Sequence, residues 1–99
     1  MFLVKRVTIT SGDRLKALTD LANFSKPIKK LIIQNVSGQT YVGNSNMSFT
    51  SGGNPPSGDY WKSTVVELDL DCMNSLYSVE DIYVINTDSG NSDLLIVAF

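Results

Sequence analysis

The β-branched and aromatic residues of this chain come in short runs, each ended within nine residues by Ser, Thr, Asn, Gly or Pro. Runs of that length are too short for stable helices and match the usual length of strands, with turn formers between them. Strands are predicted at residues 2–10, 30–36, 40–43, 47–50, 64–72, 81–86 and 94–99. The clearest is the 64–72 segment, where Val66, Leu68, Leu70 and Cys72 alternate with Glu67, Asp69 and Asp71. That period of two marks a half-buried strand. Leu31-Ile32-Ile33 and Leu94-Leu95-Ile96-Val97 are apolar on both faces, so these strands are expected to be central or covered outside by a neighbouring subunit. With 99 residues the chain holds one domain, residues 1–99. The expected fold is all-β: a compact antiparallel β-sandwich or jelly-roll-like barrel of about seven strands, with one short helix near the N-terminus.

The helix is expected across residues 11–22. Leu15, Leu18 and Leu21/Ala22 recur at helical spacing, Ser11 suits the N-cap, and Asp13 suits the positive end of the dipole. Asn23 and Pro27 end it. Ser37-Gly38 and Gly43-Asn44-Ser45-Asn46 read as turns, and residues 88–92 as a plain hairpin joining the last two strands. Residues 51–62 carry Gly52, Gly53, Pro55, Pro56 and Gly58, which keeps them out of a central strand and predicts a surface loop.

Composition removes most enzyme chemistry. The chain has no histidine and one cysteine, so neither a His-dependent triad nor a structural zinc site nor an internal disulfide can form within it. Cys72 lies in phase with apolar neighbours and reads as a small buried hydrophobe. The net charge of −2 hides a partition: seven of the eight Lys/Arg fall in residues 1–50, and eight of the ten acids in residues 51–99. A pI near 4.8 without a basic run argues against nucleic acid as a partner. The apolar runs are too short to span a membrane, and Lys5-Arg6 follows the apolar start where a secretory signal would precede it. No cofactor motif is present: Ser51-Gly52-Gly53 runs into Asn-Pro-Pro, not into a helix.

Two acidic groups invite a cation. Glu67, Asp69 and Asp71 stand on one strand face, spaced too far apart for calcium and better read as a solvated edge. Asp88, Asn91 and Asp93 sit in a turn but lack the glycine and closing glutamate of a calcium loop; they read as an Asx-rich turn, and no metal is expected. Among the aromatics, Tyr41, Tyr77 and Tyr83 fall in or beside strands and read as core or cross-strand residues. Tyr60 and Trp61 differ, because they emerge as a pair from the Gly/Pro loop. Either they pack on their own core or they form a contact for a partner, with Pro55 and Pro56 stiffening the loop beside them.

Residues 31–47, Leu-Ile-Ile-Gln-Asn-Val-Ser-Gly-Gln-Thr-Tyr-Val-Gly-Asn-Ser-Asn-Met, resemble a run found in small virion proteins of tailed bacteriophages. There, a strand ending in Asn-x-Ser-Gly continues as Tyr-Val-Gly-x-Ser-x. An acidic alternating strand follows, then an aliphatic strand, here Ile82-Tyr83-Val84-Ile85, and a last aliphatic strand. The likeness spans residues 30–99 loosely and barely includes the N-terminal segment. It implies a non-enzymatic structural domain, first of all a capsid decoration or cement protein on the virion surface, made in the cytoplasm of a bacterial host. Its implied partners are the major capsid protein or other virion proteins and further copies of itself, a trimer among the options. A tail or head-fibre adaptor is the alternative within that class, and a carbohydrate-binding adhesin using exposed aromatics such as Trp61 is the alternative outside it.

Overall fold

A computed structural model of the chain describes residues 3–24, 28–63, 65–69 and 79–99. Eight strands are seen among them: β1 (Leu3–Ile9), β2 (Leu15–Ala17), β3 (Lys30–Ser37), β4 (Thr40–Gly43), β5 (Tyr60–Ser63), β6 (Val65–Asp69), β7 (Tyr83–Asn86) and β8 (Ser92–Ala98). A single helical turn, α1 (Leu18–Leu21), follows β2, and a 3-10 turn at Val79–Asp81 precedes β7. The strands form two four-stranded sheets, ordered β1-β8-β3-β6 and β2-β7-β4-β5, and all their pairings are antiparallel. This is the all-β sandwich expected from the strand pattern. Among the described strands, β4 and β5 alone follow one another within one sheet; every other consecutive pair lies in opposite sheets.

The main core lies between the sheets. Ile9, Leu31, Ile33, Leu94, Ile96 and Ala98 from the first sheet meet Val42 and Val84 from the second and Ile82 just before β7, with Leu18 and Leu21 of the helical turn and Ala22 after it closing the cluster. β8 is central between β1 and β3 and alternates strictly, with Ser92, Leu94, Ile96 and Ala98 inward. A second cluster explains why β7 is apolar on both faces. Tyr41, Met47 and Ile85, with Leu15 and Tyr83 against them, pack away from the main core, and Met47 reaches them from the long β4–β5 connection. Each large aliphatic side chain buried here contributes roughly 1.5–3 kcal/mol.

The region expected as a helix divides. Residues 15–17 form a short strand, Leu15 opposite Ile85 and Ala17 opposite Tyr83. Only Leu18–Leu21 is helical, and its N-cap is Ala17, without a side-chain cap. Leu15 enters the second cluster while Leu18 and Leu21 enter the main core. The helical spacing of these leucines thus serves two cores rather than one helix face. Pairing with β7 satisfies the backbone groups that a short helix would leave open at its ends. Ser11 caps nothing; its amide donates to Asn91 Oδ1 at 3.2 Å.

Three other expectations are corrected. Residues 47–50 form no strand beyond a bridge between Ser48 and Ser57. Residues 60–62, expected as the end of a loop, belong with Ser63 to β5. Residues 88–92 are no hairpin, because β7 and β8 belong to different sheets. The crossing there is held by Asn86, which is fully buried. Its Nδ2 donates to the carbonyls of Ile9 and Gly90, and its Oδ1 accepts from the Asp88 amide and the Ser92 hydroxyl. All four bonding capacities of the carboxamide are used.

Candidate functional site

The 44–59 connection is a folded arm rather than a loose loop. Ser48 and Ser57 exchange backbone hydrogen bonds at 3.0 and 2.9 Å, Thr50 Oγ1 donates to the Pro55 carbonyl, and Asn54 closes a tight turn on Ser51. Its tip returns to the domain: the Gly53 amide, at a φ of 75°, donates to the Thr87 carbonyl at 2.6 Å. Phe49 takes the Arg14 guanidinium over its ring at 3.8 Å, and Arg14 Nη1 donates to the carbonyls of Asn86 and Asp88. The stretch expected as a surface loop is therefore partly committed to its own fold. Pro56 is buried and Pro55 exposed, both farther along the arm than the aromatic pair.

At the base of the arm the β4–β5 ladder slips. Val42 pairs with Lys62 but Gly43 pairs with Tyr60, so Trp61 is the extra residue of a β-bulge. A bulge re-aims neighbouring side chains, which in a regular strand would point to opposite faces. Here Tyr60 and Trp61 line one recess together with Gly43, Asn44 and Asp59. Gly43 makes the approach possible, since a Cβ there would strike the Asp59 carbonyl and the Tyr60 Cα. Tyr60 is held edge-on against Tyr41, with ring centroids 5.2 Å apart at 78°.

The polar wall is fixed by an Asx network. Asp59 Oδ2 accepts from Asn46 Nδ2 at 2.9 Å and from Asn44 Nδ2 at 3.5 Å. Asn46 Oδ1 accepts the Asp59 amide at 2.8 Å, and Asn44 Oδ1 the Asn46 amide at 3.1 Å. The recess encloses about 190 Å³. Tyr60 and Trp61 are 42% and 36% exposed, so both keep surface open to solvent, Tyr60 while packing edge-on against the core residue Tyr41. Sequence reading found the two aromatics but missed Gly43, Asn44 and Asp59. The only signal for them was the Asn-rich turn after Gly43 and the Gly58-Asp59 step, which read as ordinary turn chemistry.

The Asp88, Asn91 and Asp93 group does not converge. Asn91 holds the Ser11 amide, and Asp88 engages Arg14 through its carbonyl. Asp93 Oδ1 accepts from Thr8 Oγ1 at 2.6 Å, and its Oδ2 from Ser37 Oγ and Arg6 Nη2 at 3.2 and 3.5 Å. The Thr8 hydroxyl above all holds the Asp93 carboxyl below its ordinary value; desolvation opposes it, and Ser37 and Arg6 add to the lowering. Among the described residues no cluster of three or more metal-ligating side chains occurs. Glu67 and Asp69 belong to β6, paired with Ile32 and Lys30, while Asp71, Cys72 and Tyr77 lie outside the described residues.

The outer face of the first sheet carries a second feature. Register places Val4, Val97 and Ile32 side by side across β1, β8 and β3, with Arg6, Leu95 and Gln34 as the next row and Thr8, Asp93 and Ser37 beyond. Val4 is exposed, and Ile32, Leu95 and Val97 are half-buried. One end of this face is thus apolar and the other hydrogen-bonded and charged. Among the described residues no helix is long and apolar enough to cross a membrane. Comparison with family models, with curated proteins and with solved structures finds no match to this chain.

Proposed function

We propose that this chain is a non-enzymatic structural domain of a tailed-phage virion, a capsid decoration protein that seats the outer face of its β1-β8-β3 sheet on the shell. The observation that carries this reading is the Val4–Val97–Ile32 row with Leu95 behind it: β8 turns Leu95 and Val97 outward as well as Leu94 and Ile96 inward. The resemblance of residues 31–47 and 82–85 to small phage virion proteins supplies the identity of the partner. Burying the Val4, Val97 and Ile32 positions removes apolar surface from water. Glu67 stands next to Ile32 in the register, and Arg6, Asp93 and Gln34 supply a polar margin that fixes orientation. A footprint this small gives modest affinity per contact. Closed oligomers presenting several copies to a symmetric shell multiply that affinity without new contacts.

Quantitation of the protein in purified virions tests the reading, together with co-sedimentation of the purified protein with shells that lack it. A copy number matching the shell subunits and saturable co-sedimentation are expected. Val97→Lys is expected to abolish co-sedimentation while leaving the melting temperature close to wild type. A copy number matching the tail would favour the adaptor reading. Absence from virions, or a Val97→Lys protein that still binds shells, would overturn the proposal.

A further inference from the structure

We infer that the recess at the β4–β5 bulge is a binding site for one neutral pyranose ring of a glycan, a function separate from attachment through the opposite sheet. A pyranose has an apolar face of C–H groups and a rim of hydroxyls that both donate and accept. A site for it needs an aromatic surface and a few fixed polar groups beside that surface. Tyr60 and Trp61 line the recess together with Asp59 and Asn44. Large aromatics supply apolar area with little conformational entropy to lose, and a carboxylate and a carboxamide together can accept from and donate to neighbouring hydroxyls.

Three observations mark the recess as built for a ligand. Tyr60 and Trp61 are consecutive, so a regular strand would send them to opposite faces; the bulge at Trp61 brings both to the same recess. Bulges of this kind recur where a side chain is re-aimed toward a site. The Asp59 carboxylate is held by two asparagines through Oδ2, and among the described residues Oδ1 accepts no hydrogen bond, which leaves acceptor capacity on a group already fixed in place. Such preorganisation lowers the entropy lost on binding. Gly43 is the residue that permits the close backbone approach on which the whole arrangement rests.

Size and charge narrow the ligand. At about 190 Å³ the recess is smaller than the roughly 300–1,000 Å³ of pockets that enclose a drug-sized molecule, so it takes one ring and leaves the rest of the chain in solvent. The Asp59 carboxylate repels uronic and sialic acids, which selects neutral hexoses and N-acetylhexosamines.

The chain has a single tryptophan, so Trp61 itself reports occupancy through its fluorescence. The full chain would be titrated with glucose, galactose, N-acetylglucosamine and their short oligosaccharides, and with glucuronic acid as the anionic probe. At least one neutral probe is expected to give a saturable change in emission, with glucuronic acid roughly tenfold weaker or worse. Saturation-transfer NMR on the variants completes the test: Trp61→Phe keeps binding, while Trp61→Ala and Asp59→Ala lose it at least roughly tenfold with melting temperatures near wild type. Absence of any saturable response to the neutral probes would overturn the site. So would equal binding of glucuronic acid, or undiminished binding by a folded Trp61→Ala protein.

Discussion

Ser92 donates its hydroxyl to Asn86 Oδ1 at 2.6 Å, and both residues are fully buried. The pair stands at the one place where β7 of one sheet hands the chain to β8 of the other. Ser92 Oγ also accepts the Gln39 amide at 3.0 Å, and the Thr87 amide donates to the Gln39 carbonyl, so the β3–β4 crossing is tied to the β7–β8 crossing through Ser92 and Thr87. No buried side-chain polar atom among the described residues is left without a partner.

Asn86→Leu is expected to destabilise the domain by roughly 3 kcal/mol or more. It strands the carbonyls of Ile9 and Gly90 and the Asp88 amide, and each buried unsatisfied group costs about 1–3 kcal/mol. Ser92→Ala should cost less, about 1–2 kcal/mol, and the double variant should cost less than the sum. Urea unfolding of the four proteins measures this. Strict additivity would show that the pair does not act as a unit.

Asp93 gives the stability a pH signature. Its folded carboxyl is held below the ordinary value of 3.8 by hydrogen bonds from Thr8 and Ser37 and by Arg6. A depressed carboxyl stabilises the fold fully above its unfolded value, and that contribution fades as pH falls through the lower folded value. Wild type should therefore be more stable than Asp93→Asn at neutral pH, with the gap closing below about pH 4. Thermal melts from pH 7 to pH 2.5 check it, and a gap that stays constant would contradict it.

Gly43→Ala is expected to cost roughly 1–3 kcal/mol. The added methyl would press on the Asp59 carbonyl and Tyr60 Cα, which are backbone and cannot step aside as a side-chain tip would. The strain falls on the β4–β5 ladder, so amide exchange at residues 41–43 and 60–63 should accelerate before that of β8.

Ile96 is fully buried on the central strand of the first sheet, opposite Lys5 and Ile33. Ile96→Ala should cost about 2–5 kcal/mol. Deleting residues 96–99 removes half of β8 and should leave insoluble protein; a soluble truncation with an unchanged melting temperature would contradict this.

Trp61→Ala should behave differently from a core aromatic. A buried Trp lost to Ala costs about 3–5 kcal/mol, but Trp61 is an edge-strand bulge residue with a third of its surface exposed. A loss near 1 kcal/mol is expected by urea unfolding, with most of the effect falling on binding.

Local pattern by itself determined the sandwich. Alternation or two-sided burial is written into β3, β4, β7 and β8, because a strand covered on one face must alternate and one covered on both must be apolar throughout. Central placement of β8 followed from the same rule. Tertiary structure decided everything that depends on a distant partner. Leu15–Ala17 became a strand because β7 offers it a ladder, and the leucines that mimic a helix stripe divide between two cores. The 88–92 turn, which looks like a hairpin, crosses sheets because the buried carboxamide of Asn86 is satisfied only there. The site divides the same way. Tyr60 and Trp61 stand out in the sequence as an aromatic pair beside a Gly/Pro loop, open to either a core or a contact role, whereas Asp59, Asn44 and Gly43 join them in one recess only through a one-residue slip in register. Residue order cannot show such a slip, since it is set by how closely two backbones approach.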